Sequence, residues 1–279
     1  MRALFQHRFD LRSSVTGAVV AAVAFLGTSF TPPGGGGLTP EQQAVLDTMS
    51  LIDLDDGSGV LLPTIRFTGV NLQVVNGSGS TTRATAVGNL FVGYTAGDRG
   101  SHNLVGGRDN RFRSYGGLVT GQVGNQIDAS APYSTAIGGR SHVLSGPRTV
   151  NVGGLTNLTT FDFACAVGGS QNEARGPYSY VGGGRANIAR GSRAVVNGGR
   201  NNLAAGTGSV CRGGQQNNAH GQSAAVGGGF VNDTAAFWAS VEGGSLNFAG
   251  ATRCSIAGGL DRCTFQPLSW VAGTLIENH

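Results

Sequence analysis

The sequence predicts an all-β protein, a parallel β-solenoid or β-roll with about 15 residues per coil. A Gly-Gly pair recurs every 15 residues between Gly138 and Gly259, and such a fixed short period is typical of stacked copies of one small unit. Before the second glycine, small and apolar residues alternate, as at Ala194 and Val196, which is the period of a β-strand. Because the 49 glycines are periodic and interleaved with Val, Ala and Asn, an ordered repeat is favoured over a disordered segment.

A second short strand is predicted after the glycines, where an Asn-x-Ala pattern repeats. The asparagine stands three residues after the second glycine, and His142 and Arg262 take its place in the outermost units. Asparagines at equal positions of successive coils are expected to stack, so that each amide can hydrogen-bond to its neighbour above and below, as in the Asn ladders of stacked β structures. The predicted structural ladder comprises Asn157, Asn172, Asn187, Asn202, Asn217, Asn232 and Asn247.

The small residues of the repeat predict a thin coil. Glycines are expected at the corners, where a positive φ or a close approach leaves no room for a Cβ atom. Alanines such as Ala174 and Ala189 imply a narrow interior. The outward strand positions also carry apolar residues, such as Val195 and Leu203. A coil with two apolar outer faces requires cover, so symmetric self-association is expected, with a homotrimer preferred.

Five segments are predicted along the chain. Residues 1–30 place Arg2, Arg8 and Arg12 before an apolar run and are interpreted as a secretory signal peptide, with an uncleaved anchor or a buried element as alternatives. A Gly/Pro linker covers 31–37, and a helix with a β cap covers 38–84. β-Solenoid repeats occupy 85–262, and a C-terminal cap occupies 263–279. A secreted or cell-surface protein is therefore expected.

The segment 38–84 contains three local signals. Thr39 and Pro40 suit the start of a helix over roughly 40–50. The acidic segment 53–59 is interpreted as a solvated turn, because the glutamate that closes an EF-hand calcium loop is missing. Residues 60–76 alternate enough to be extended.

The repeats begin in degenerate form near Thr85. A two-residue insertion between Asn125 and His142 separates these units from the regular array.

The four cysteines have neither Cys-x-x-Cys spacing nor a metal-ligand pattern, so neither a metal site nor a cofactor is predicted. Cys165 and Cys211 would lie about three coils apart, beyond disulfide reach. A bridge between Cys254 and Cys263 would close the last coil. Buried free thiols are the alternative.

No catalytic residues are predicted, and the chain is not expected to be an enzyme. Glu173 and Asp233 share a column, but at the usual strand spacing they lie about 19 Å apart, too far for a glycosidase pair. His142 and His220 are interpreted as surface or turn residues without partners. Hexapeptide acyltransferases and nonapeptide calcium-binding proteins have repeats of six and nine residues. Neither number divides the 15-residue step of this chain, so neither class of protein is predicted. The threonines form no continuous face of the kind found in ice-binding solenoids.

One column departs from the small and apolar pattern, at the corner nine residues past the second glycine. Aromatic faces and guanidinium groups along such an edge are suited to sugar rings or anionic glycans, with corner packing or a subunit interface as alternatives. A net charge of +4 is too small to indicate a nucleic-acid partner. The candidate edge residues are Tyr133, Arg148, Phe163, Tyr178, Arg193, Trp238 and Arg253.

Units such as Val226 to Asn232 (VGGGFVN) resemble the Ala/Gly/Asn-rich head repeats of trimeric autotransporter adhesins. The resemblance covers roughly residues 85–262 and implies a left-handed parallel β-roll in which three chains associate. The step is one residue longer than is usual in that family, and the C-terminal part lacks the family's alternating membrane strands, so anchoring and self-secretion are not carried over.

The expected function is that of a secreted structural or adhesive rod, whose partners are itself and cell-surface polysaccharide. A self-assembling extracellular filament subunit or a phage-type fibre is the alternative. A polysaccharide-active enzyme or an ice-binding protein is the third hypothesis.

Overall fold

The computed structural model describes residues 39–55, 57–94, 99–273 and 275–277. The predicted signal peptide or anchor (1–30) and the linker (31–37) lie outside the described residues. The chain separates into two compact units, one ending at Gln73 and one beginning at Val74.

The N-terminal unit contains helix α1 (Pro40–Asp47) and a hairpin of two antiparallel strands, β1 (Met49–Asp55) and β2 (Leu61–Phe67). Thr39 caps the helix as predicted. Its side chain accepts a hydrogen bond from the Gln42 N–H, and the Gln42 side chain accepts one from the Thr39 N–H, which completes a capping box.

The predicted turn over 53–59 is shorter in the structure, because its first residues belong to β1. Pairing with β2 extends β1 to Asp55, and local turn signals do not reveal such cross-strand pairing. The exposed Asp55 side chain then accepts hydrogen bonds from the N–H groups of Gly57 and Gly59, at 2.8 and 3.0 Å. These contacts are those of an Asx-type turn.

The second unit is a parallel β-solenoid of about 12 coils. One side of the coils forms a 14-stranded sheet and another forms an 11-stranded sheet. In the regular array, partners lie one repeat apart, as Val181 beside Val196 and Ala189 beside Ala204. The predicted fold class is therefore confirmed: a mostly β protein with coils of about 15 residues, a short helix and a β segment.

The strands of the 14-stranded sheet are β3 (Leu90–Val92), β4 (Leu104–Gly106), β6 (Leu118–Thr120), β8 (Thr135–Ile137), β10 (Val150–Val152), β12 (Cys165–Val167), β14 (Tyr180–Val181), β16 (Val195–Val196), β18 (Val210–Cys211), β20 (Ala225–Val226), β22 (Ser240–Val241), β24 (Ser255–Gly258), β26 (Trp270–Ala272) and β27 (Leu275–Glu277). In this sheet, β27 pairs antiparallel with β26.

The strands of the 11-stranded sheet are β5 (Arg111–Phe112), β7 (Gln126–Ile127), β9 (Val143–Leu144), β11 (Leu158–Thr159), β13 (Glu173–Ala174), β15 (Ile188–Ala189), β17 (Leu203–Ala204), β19 (Asn218–Ala219), β21 (Asp233–Thr234), β23 (Phe248–Ala249) and β25 (Cys263–Thr264). The parallel ladders thus continue past residue 262 through β25 and β26.

Each regular coil also contributes a third ladder that the sequence pattern did not predict. It consists of single-residue parallel bridges, such as those joining Arg185, Arg200 and Gln215. Each of these residues directly follows a Gly-Gly pair. A one-residue bridge has no alternation along the chain, so a search for period two cannot detect it.

The two-residue insertion before His142 is absorbed without loss of register. Gln126 pairs with Val143, and the extra residues lie in the loop where the Ala131 N–H donates to the Asp128 carbonyl at 3.0 Å. The parallel ladders therefore keep side chains in columns even where coil length varies.

The core is the narrow interior that the alanines predict. Val181, Val196 and Cys211 from one sheet and Ala174 and Ala189 from the other have 0% exposed surface. Side chains alternate between the core and the outer surface along each strand, so the intervening residues are only half-buried or exposed.

Candidate functional site

The predicted edge residues occupy equivalent places in successive β-turns. In one coil the Ser179 N–H donates to the Gly176 carbonyl at 3.1 Å, with Pro177 and Tyr178 between them. Tyr178 has a φ of 58°, which identifies a type II turn, a turn that favours glycine or asparagine at this place. All seven edge residues have φ between 54° and 58°. A left-handed backbone costs a residue with a Cβ atom about 1–2 kcal/mol.

Part of the edge forms an ordered stack. The Phe163 and Tyr178 rings lie 4.9 Å apart at an angle of 10°, and the Arg148 guanidinium lies 5.2 Å from the centre of the Phe163 ring. Both faces of Phe163 are therefore covered by its neighbours in the column. Sugar stacking was one interpretation of this column, but Phe163 leaves only its ring edge for a ligand.

The other edge residues form separate groups. Arg253 lies 4.9 Å from the centre of the Trp238 ring, and Tyr133 packs edge-on against Tyr115 at 5.4 Å. Exposed cation–π pairs contribute about 0.5–1 kcal/mol, which offsets part of the backbone strain. For Arg193 the described residues provide no such ring contact. The column is thus continuous in sequence but divided in its contacts.

The asparagines form a buried column, but their hydrogen bonds differ from the predicted amide ladder. Asn187 Oδ1 accepts from the backbone N–H of Asn202 at 3.0 Å. Asn202 Nδ2 donates to the carbonyls of Gly198 and Gly214, at 2.9 and 3.0 Å. Each amide therefore bonds to backbone groups of its own corner and of the next coil, where strand pairing is interrupted. The predicted structural role fits these contacts. Successive asparagines are joined as predicted, but through Oδ1 and the next backbone N–H, while Nδ2 donates to glycine carbonyls.

His142 is fully buried in this column, so its interpretation as a surface or turn residue was wrong. Its N–H donates to Asn125 Oδ1 at 3.0 Å, and its Nδ1 accepts from the Asn157 N–H at 3.2 Å. Nδ1 thus replaces an asparagine Oδ1, and an imidazole that accepts at Nδ1 is neutral with its proton on Nε2. Burial lowers the pKa of His142 accordingly.

We expect the solenoid to lose stability as the pH falls below 6.5, the ordinary pKa of histidine. Because the pKa of His142 is lowered in the folded state, the unfolded chain binds the proton first as the pH falls. The free energy of unfolding therefore decreases as the pH falls, until His142 of the folded chain is also protonated. Denaturant unfolding between about pH 8 and about pH 5 measures this effect.

The matched variant is His142→Asn, which restores the residue found elsewhere in the column. Titration of the carboxyl groups is common to both proteins, so the difference between their pH profiles isolates His142. Identical profiles would contradict the assigned neutral imidazole.

His220 also has a partner, contrary to its interpretation from sequence. Its Nε2 lies 4.0 Å from Asp233 Oδ1, and burial raises the pKa of Asp233 while the His220 charge opposes that shift. Glu173 lies in the same ladder as Asp233, four coils away, and its Oε2 is 2.6 Å from Arg175 Nε. Across the described ranges, no three His, Cys, Asp or Glu side chains are close enough to hold a metal ion.

All four cysteines are free thiols, so the bridge considered between Cys254 and Cys263 is not formed. Cys254 is buried and Cys263 is exposed, which places their side chains on opposite sides of the coil wall, whereas a disulfide needs converging Cβ atoms. Burial raises the pKa of Cys211 to about 12 and raises that of Cys165 and Cys254. These three thiols, of which Cys165 is half-buried, are therefore poor nucleophiles.

In the part of the chain that the structure describes, no helix is long and apolar enough to cross a membrane. No protein-family model matches the chain, and no curated protein has significant sequence similarity to it. The fold assignment is a parallel β-solenoid of about 12 coils.

Proposed function

We propose that the protein is a secreted structural or adhesive rod that works as a homotrimer. The observation that supports it best is the surface of the N-terminal unit: among its described residues, from Thr39 to Gln73, none is buried. Large apolar side chains are exposed there, including Leu61 and Leu72 at 61% and 66%. An isolated hairpin is at best marginally stable in water, so this unit needs other chains to cover it.

Four apolar residues of the hairpin, Met49, Leu51, Ile65 and Phe67, share one face, whereas Ile52, Leu54 and Leu62 lie on the other. Met49 pairs with Phe67, and Leu51 pairs with Ile65, and residues two apart along a strand point to the same side. Beside them, a groove of about 370 Å³ is lined by Ala44, Val45, Thr48, Phe67, Val70, Asn71 and Leu72. Contact between copies of this face would bury apolar surface, and each Å² removed from water contributes about 25 cal/mol of stabilising free energy.

The solenoid carries an apolar surface of its own. Along the outer face of the 14-stranded sheet, Leu104 and Tyr180 are exposed, and Val150, Val195 and Val210 are half-buried. Closed symmetry lets one patch cover its equivalents on other copies. The choice of three copies follows the resemblance to trimeric adhesin heads.

The test is the native mass of the purified full chain by light scattering. We expect about three times the mass of one chain, which is 28.3 kDa before any processing. Leu51→Asp combined with Ile65→Asp should lower the mass, because it places carboxylates in the proposed interface.

Ser50→Asp is the matched control, since Ser50 pairs with Arg66 on the opposite face of the hairpin. It should leave the mass unchanged. A wild-type protein that is monomeric at all concentrations would overturn the homotrimer.

A filament subunit is the second candidate, favoured by β3 at one end of the 14-stranded sheet. Leu90, Phe91 and Val92 of this strand are exposed, and an exposed apolar edge strand can pair with another chain. Electron micrographs distinguish the two candidates: rods of one length support the trimer, and lengths that grow with concentration support the filament.

A further inference from the structure

Four arginines on two adjacent coils lack acidic partners. No Asp or Glu occurs from residue 174 to 232, and Arg185, Arg190, Arg193 and Arg200 are exposed there. Within the described residues they form no ion pair, whereas Arg175 pairs with Glu173 at 2.6 Å and Arg212 with Glu242 at 3.7 Å. Their combined charge equals the formal net charge of the whole chain, +4.

Two of these arginines, Arg190 and Arg193, lie at one corner of the solenoid. Arg190 directly follows β15, and Arg193 lies in the turn of the same coil. The Arg193 N–H donates to the Pro177 carbonyl at 2.8 Å, which places Tyr178 in the adjacent coil of the same corner. Arg185 and Arg200 lie at the other corner, in the single-residue ladder that follows the Gly-Gly pairs, one strand spacing of about 4.8 Å apart.

Tyr178 has one ring face open to a ligand. Phe163 stacks on the other face, the described residues place no second aromatic ring or cation over Tyr178, and its side chain is 54% exposed. The next two residues of the column are Gly208 and Ser223. Their small size leaves space beside Arg193, where the other parts of the column carry bulky side chains.

Arg193 shares the backbone conformation of the other edge residues but not their ring contacts. Its φ is 56°, a strained value, and unlike Arg148 and Arg253 it gains no cation–π contact in return. Gly208 occupies the equivalent turn of the next coil, so glycine is compatible with this place.

We propose that Tyr178, Arg190 and Arg193 bind an acidic polysaccharide that carries carboxylate or sulfate groups. A guanidinium group binds such oxyanions with two parallel N–H···O bonds, and the open face of Tyr178 packs against a sugar ring. The proposal specifies the ligand of the adhesive role and rests on that part of the proposed function. The site lies within one chain and does not require trimerisation.

A nucleic acid is the less favoured occupant. Proteins that bind nucleic acids neutralise many closely spaced phosphates, whereas this corner offers two arginines without acidic partners, in a chain with a net charge of only +4. An acidic polysaccharide can carry its charges farther apart, with apolar ring faces between them.

The test is calorimetric titration of the full chain with heparin as the sulfated probe, polygalacturonate as the carboxylated probe, and dextran as the neutral one. We expect binding to at least one acidic probe, weakened by salt, and none to dextran. No binding to either acidic probe, or equal binding to dextran, would overturn the proposal. Tighter binding to single-stranded DNA would overturn it in favour of a nucleic-acid site.

Two variants separate binding from folding. Arg193→Gly removes the guanidinium and relieves the positive φ, so affinity should fall roughly tenfold or more while the thermal midpoint is unchanged or higher. Arg190→Gln should weaken binding similarly. Arg140→Gln is the control, because Arg140 is an exposed arginine in the single-residue ladder, away from this corner. Wild-type affinity in both site variants would overturn the assignment.

The proposed homotrimer and the proposed polysaccharide site can be tested independently. The Leu51→Asp, Ile65→Asp protein should bind the acidic probe with unchanged affinity per site even when it is monomeric. If dissociation abolished binding, the single-chain site would be wrong, whereas a monomeric wild type that binds the probe would refute only the homotrimer.

Discussion

Gly199→Ala should destabilise the solenoid by more than about 4 kcal/mol, a loss that few single substitutions cause. Gly199 has a φ of 84°. A Cβ atom there would lie 2.2 Å from the Gly214 carbonyl oxygen and 2.5 Å from Asn202 Nδ2. Both atoms belong to the bonding between coils, so the next coil would have to shift and break its ladder contacts.

The matched control is Gly198→Ala, one residue earlier in the same Gly-Gly pair. A Cβ atom at Gly198 meets nothing within 4 Å, and Gly198 does not have a positive φ. Its effect should therefore stay below about 1 kcal/mol. Guanidinium unfolding of both variants measures the difference, and similar losses for the two would contradict the close approach at Gly199.

Asn202→Ala should cost about 3 kcal/mol or more. It removes the acceptor of the Asn217 N–H at 3.0 Å and the donor to the Gly198 and Gly214 carbonyls, and each buried polar group left without a partner costs about 1–3 kcal/mol. A hydrophobic replacement cannot recover this loss, because the lost partners are backbone groups of two coils.

Asn197→Ala provides the comparison for Asn202→Ala, since Asn197 is exposed and the change of side chain is identical. It should alter the unfolding midpoint only slightly. If the two alanine variants had the same unfolding midpoint, the asparagine column would not stabilise the solenoid.

The coil length and the core were predictable because a parallel ladder brings residues one period apart to equal positions. Val181 and Ala189 therefore predicted both the strands and the narrow interior, which is fully buried. Thr39 was predictable as a cap because the capping box depends on residues three apart. The candidate edge was predictable as a column, but its division into the Phe163 stack and the Trp238 pair was not.

Some errors arose where a side chain acts on the backbone of another coil. His142 looked like an isolated histidine in sequence, yet the fold places it where an asparagine accepts an N–H from the next coil. The open face of Tyr178 depends likewise on Gly208 and Ser223 in later coils. Neither neighbourhood is local in sequence, so neither could be derived from local pattern alone.

Periodicity by itself determined the solenoid, its step and its columns, because in-register pairing repeats every side-chain position from coil to coil. Only the tertiary structure decided what each position does. It separates the two glycines of a pair, aims the asparagine amides at backbone groups, buries His142 and leaves Arg193 without a ring partner. These differences come from distances between adjacent coils, which the repeat makes regular but does not specify.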